Sequence, residues 1–141
     1  MTSFLSERYV ARESAWMPFI LGELGANANT IVIGHSSGAE AALRLAEQQR
    51  LAGVVLVCAC HTDLGEASER EAGYYSRPWL WEDMKSNTPW ILQYHSTDDP
   101  FIPVAEARYV PSAKGCLWCT LCLSKGRVQY YVACLPYTAY R

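Results

Sequence analysis

The stretch TIVIGHSSGAEAALRLAEQQR, residues 30–50, decides the fold. Its opening TIVIG, residues 30–34, is a short β-branched apolar run with the composition of a buried strand. From Ser37 the pattern turns helical, with Ala39, Ala42, Leu43 and Ala46 on one face. Between the two, Gly34-His35-Ser36-Ser37-Gly38 fits G-x-S-x-G, the nucleophile elbow, with a strand before it and a helix after.

The spacing has a steric reason. A serine at so sharp a turn sits in a strained conformation, and side chains two before and two after it would collide as strand and helix converge. Gly34 and Gly38 are therefore expected to remove those collisions, and Ala39 keeps the helix start slim. Ser36 Oγ would stand at the carboxyl end of a sheet, and the Ser37 N–H would face any oxyanion formed there. Ser37 is the rival nucleophile, but no glycine stands two positions before it. A plain glycine-serine turn between strand and helix is the alternative.

Further along, GVVLVCA (53–59) and PWILQYHS (89–96) read as two more buried strands. RESAWMPFILGEL (12–24) reads as an amphipathic helix carrying Trp16, Phe19, Ile20 and Leu24 on one side, weakened by Pro18 and closed near Gly25. The polar stretch 60–87 reads as short helices and loops with an aromatic group, Tyr74, Tyr75, Trp79 and Trp81, that either caps a pocket or packs as core. VAEARYV (104–110) begins another helix. Strands alternating with helices imply βαβ units, hence an α/β fold with a parallel sheet and helices on both faces.

The 141 residues suffice for one domain with a real core. No apolar run approaches the roughly 18 residues of a membrane span, and the N-terminus lacks the layout of a secretory signal, so a cytoplasmic or nuclear setting is expected. Charge is uneven. Residues 1–106 hold seven Lys/Arg against all 14 Asp/Glu, whereas 107–141 hold five Lys/Arg and no acid. Four of the six cysteines (Cys116, Cys119, Cys122, Cys134) also fall in that second stretch. We therefore divide the chain into a core, 11–110, and a Cys-rich basic tail, 111–141. Spread charges make no nucleic-acid patch. The Cys-x-x-Cys-x-x-Cys spacing resembles a metal site, but the apolar residues between the thiols also suit a strand, and no metal or other cofactor is expected.

A serine nucleophile needs a base, and the base an orienting carboxylate. Asp98 and Asp99 follow the third strand in the expected order, and Pro100 fixes the backbone at Asp99. In this type of site the histidine comes last in the chain. Here His35, His61 and His95 all precede Asp99. His95 alone is placed to substitute, and the expected base is missing.

Residues 11–103 resemble the retinoblastoma-binding protein 9 family, small serine hydrolases of the α/β-hydrolase fold. The similarity runs through ARESAWMPF, TIVIGHSSGA, VVLVCACHTDLGEASEREAGYYSRPWLWE and STDDPFIP. It implies an α/β-hydrolase-like sheet incomplete at both ends, Ser36 as nucleophile and Asp99 as triad acid, acting on small acyl substrates. The family's early glycine-rich loop and its late histidine have no counterpart here, as a splice variant or a shifted reading frame would produce. The family's retinoblastoma partner is attributed to an L-x-C-x-E peptide, and the equivalent ELGANANT lacks its cysteine and glutamate. The sequence thus predicts a serine hydrolase of little or no activity, or else a non-catalytic chain, either a poorly folded isoform or a protein-interaction module.

Overall fold

The computed structural model describes residues 11–112 and 119–125. Four parallel strands, β1 (Ile31–His35), β2 (Gly53–Val57), β3 (Ile91–Ser96) and β4 (Cys119–Ser124), lie side by side in chain order. The register runs from Ile31 opposite Gly53 to His35 opposite Val57, and Val54 stands opposite Ile91. Parallel neighbours demand crossovers, and helices supply them. These are α2 (Ser37–Gln48) after β1, α3 (Ala67–Ala72) and α4 (Trp81–Asn87) after β2, and α5 (Val104–Ser112) after β3. A further helix, α1 (Glu13–Pro18), precedes the sheet.

Registered partners share a face of the sheet. Val32, Val54, Leu56 and Ile91 pack on one face with Ala39, Ala42, Leu43 and Ala46 of α2, Met84 of α4 and Val110 of α5. Met17 of α1 and Ala72 of α3 join the same cluster, so this face carries the core. On the opposite face, Ile31, Ile33 and Tyr94 are 40%, 37% and 38% exposed. Among the described residues these positions are open, in keeping with an α/β-hydrolase-like sheet that is incomplete, whereas Val57, in register with Tyr94, is buried with Ile102. No described helix is long and apolar enough to cross a membrane.

Two local readings are corrected. The helix expected over 12–24 is α-helical only to Pro18 and continues as a π-helical turn, Phe19–Glu23. Proline offers no N–H to the ladder, and the wider turn shifts the facing residues. Met17, Trp16, Ile20 and Leu21 pack inward, while Phe19 is half-buried outside that cluster and Leu24 is exposed. The chain then reverses at Gly25, whose φ of +64° suits glycine.

The second correction concerns the glycines of the turn. A Cβ on Gly34 would fall 2.1 Å from the Gly38 carbonyl oxygen and 2.7 Å from Ala39 Cα, a collision with backbone. A Cβ on Gly38 would meet only the Trp16 ring, at 4.0 Å. The close approach thus requires glycine at 34; at 38 it requires only that the carbonyl stand where it does.

In the expected Cys-rich tail, Cys119 and Cys122 belong to β4, in register with Ile91 and Tyr94. Cys116 and Cys134 lie outside the described residues.

Candidate active site

Three parallel strands end at one side of the sheet, and the residues that leave them meet there. Ser36 follows β1, Cys58 follows β2 and Asp99 lies three residues past β3. In open α/β sheets ligands bind beyond the carboxyl ends of the strands, and a cavity of about 530 Å³ opens here. Ser36, Asp99, Cys58 and Cys60 line it, with His35, Glu40, Glu69 and Tyr75.

Ser36 has φ 52° and ψ −129°, a strained backbone for any residue with a side chain. Its N–H donates to the Val57 carbonyl at 3.0 Å, tying the turn to β2. Its own carbonyl accepts from the Ala39 N–H at 2.6 Å and closes the first turn of α2. Ser37 opens that helix, where the first N–H groups lack partners within the helix and favour negative charge. The Ser37 hydroxyl donates to Glu69 Oε1 at 3.5 Å, away from a nucleophile's role.

The two candidate acids separate clearly. The Ser96 hydroxyl donates to Asp98 Oδ1, which ties Asp98 back to the end of β3. Asp99 lines the cavity. Its Oδ1 accepts the N–H groups of Phe101 and Ile102, each at 2.9 Å, and its Oδ2 accepts the Cys58 thiol at 3.4 Å. Partial burial works to raise its pKa, but these donors prevail and hold the carboxyl below its ordinary value.

The histidines take three different places. His95 is wholly buried, its Nε2 2.9 Å from the Ile102 carbonyl oxygen, and it does not line the cavity. His61 stacks on Tyr109, centroids 3.8 Å apart, with Nδ1 2.8 Å from Glu106 Oε2. His35 shares the cavity wall from the Ile31 and Ile33 side of the sheet.

Sequence reasoning missed two polar groups. Glu40, one turn into α2, is buried on the cavity wall, and its Oε1 accepts the Cys60 N–H at 2.7 Å. Burial, with the charges of Glu69 and Glu106, pushes its carboxyl up to about 8. Burial likewise raises the Cys60 thiol, helped by Glu40. Arg44 is the second. It is buried with its guanidinium 3.8 Å above the Trp79 ring, 2.6 Å from Glu47 Oε1, and it donates to the carbonyls of Tyr74, Arg77 and Pro78. The signal available in the sequence was a charge inside an otherwise apolar helical stripe.

Arg44 also explains the aromatic group. Tyr74 is core, whereas Tyr75 lines both the Ser36 cavity and a second cleft of about 450 Å³ formed with Trp79, Trp81, Tyr109 and His61.

Comparison with known proteins supports the fold. Residues 2–67 match the family model described as an alpha/beta hydrolase of unknown function, DUF1057. The Serine hydrolase RBBP9 of Rattus norvegicus is 53% identical over 100 residues, which are 71% of this chain and 54% of that protein. Over these residues the chain is similar to RBBP9 and to that family of α/β hydrolases. It spans about half the length of that relative, 54%. The fold is also that of the ydeN gene product from B. subtilis, with a TM-score of 0.69 at 19% identity over 83% of this chain and 63% of that one. The region matched by the family model includes the turn at Ser36.

Proposed function

We propose that this chain carries a serine-hydrolase site for small ester, amide or peptide-type acyl substrates. Ser36 is the nucleophile, Asp99 the orienting acid and the Ser37 N–H an oxyanion donor. The supporting observation is that Ser36, on its strained turn, and Asp99, alone of the two aspartates, open on one cavity. Attack by Ser36 Oγ on the acyl carbon forms a tetrahedral oxyanion, which the N-terminal end of α2 stabilises.

Turnover is low in this reading. The Ser36 proton needs an acceptor, and His95 is bonded to Ile102 while His61 sits against Glu106. Loss of a triad member costs several orders of magnitude and leaves a residual rate from binding and the oxyanion hole. A fluorophosphonate probe tests both parts. Slow labelling that Ser36→Ala abolishes is expected. Labelling as fast as in complete RBBP9 would overturn the low turnover, and labelling unaffected by Ser36→Ala would overturn the nucleophile.

A second, non-catalytic reading draws on the open face bearing Ile31, Ile33 and Tyr94. Exposed apolar patches serve contacts between chains. Sedimentation over a range of concentrations would reveal association, and a monomer throughout would argue against self-association through that face.

A further inference from the structure

Asp99 offers its two oxygens to unlike donors. Oδ1 is saturated by the rigid backbone amides of Phe101 and Ile102. Oδ2 faces the Cys58 Sγ at 3.4 Å, and a thiol is a weak donor that a stronger N–H displaces. Cys58 and Asp99 line the same cavity as Ser36, and at about 530 Å³ it has room for a small ring beside them. The chain has three histidines, and the two not on the wall lie elsewhere, His95 buried with Nε2 on the Ile102 carbonyl and His61 against Glu106.

We propose that the cavity binds an imidazole ring supplied from outside the chain, its N–H donating to Asp99 Oδ2 in place of the Cys58 thiol and its other nitrogen serving as base for Ser36. This rests on Ser36 being the nucleophile. The step balances as follows. The free ring nitrogen takes the Ser36 hydroxyl proton while Oγ bonds to the acyl carbon. The resulting imidazolium is held by ionised Asp99 and returns that proton to the leaving oxygen as its bond to the acyl carbon breaks. Water repeats the cycle on the acyl-serine and releases the carboxylic acid. Imidazole titrates near neutrality, so it can both accept and return the proton at pH 7.

The test is hydrolysis of 4-nitrophenyl acetate by the full chain during an imidazole titration, with Ser36→Ala under identical conditions subtracted to remove catalysis by free imidazole. A saturable rise approaching roughly 100-fold is expected, the lower end of what a positioned base contributes. N-methylimidazole, a comparable base lacking the second N–H, should give little of it, and Asp99→Asn should lose it. Cys58→Ala should lower the half-saturating imidazole concentration by removing the competing donor. Equal acceleration by both bases, or a purely linear dependence matching Ser36→Ala, would overturn the inference even where the probe still labels Ser36. Activity without imidazole that His35→Gln abolishes would also overturn it, by placing the base within the chain. Absence of probe labelling at Ser36 is a different failure, that of the nucleophile itself.

Discussion

Gly34 and Gly38 meet backbone to backbone: a Cβ on Gly34 would lie 2.1 Å from the Gly38 carbonyl oxygen, whereas a Cβ on Gly38 would touch nothing closer than 4.0 Å. The two glycines of the motif are therefore not equivalent. Gly34→Ala must push strand from helix and should cost at least about 1–3 kcal/mol, the usual range for overpacking. Gly38→Ala should be near neutral or gain up to about 1 kcal/mol from helix propensity. Urea denaturation of the two variants checks the contrast.

Stability should depend on pH through Glu40. Its carboxyl is raised from 4.5 to about 8 in the folded chain. The folded state then holds a proton that the unfolded state has released, so its contribution is complete below the unfolded pKa and is lost as pH climbs to the folded one. The slope should be at most about 1.4 kcal/mol per pH unit between those values. Glu40→Gln keeps an acceptor for the Cys60 N–H and should flatten that slope. Melting temperatures from pH 5 to 9 would show it, and parallel curves for both proteins would remove Glu40 as the cause.

Arg44 anchors the segment between α3 and α4 to α2. Arg44→Ala would leave buried Glu47, which also accepts the Leu80 N–H at 2.9 Å, with only the partly exposed Arg77 guanidinium, 3.8 Å away, as a cation. Breaking a buried pair from one side costs about 3–5 kcal/mol. Arg44→Ala should therefore destabilise more than exposed Arg70→Ala, whose pair with Asp63 lies at the surface. Equal midpoints in urea for the two variants would contradict this.

Gly53 is crowded in a cheaper way than Gly34. A Cβ there would fall 2.1 Å from the Trp90 ring, and that ring is 36% exposed and can swing aside. Gly53→Ala should change tryptophan fluorescence while costing less than Gly34→Ala. A loss as large as that of Gly34→Ala would mean that the ring is held fast.

The order of elements was legible because apolar period changes abruptly at Ser37, and a strand-turn-helix with glycine at 34 allows few geometries. The order after β3 and Pro100 singled out Asp99 in the sequence, but not what ties Asp98 back, since that depends on a local hydroxyl from Ser96. Glu40 and Arg44 escaped notice because a charged residue in a helix reads as solvated. Here α2 is enclosed by the sheet on one side and the segment 74–81 on another, so even Glu40, Arg44 and Glu47 are buried. The π-helical turn escaped for a different reason: Pro18 signals disruption without saying in which direction the following side chains rotate.

Among the described residues β1 is an outermost strand, paired on one side only, and the turn bearing Ser36 hangs directly from its end. A strand with a single neighbour frays more readily than β2, which has two. Any fluctuation that peels β1 from β2 breaks the Ser36 N–H bond to Val57 and releases the backbone tension at that serine. The nucleophile's readiness is thus set by how firmly the border of the sheet stays zipped, and a molecule that clasped that border would tighten the serine without entering the cavity.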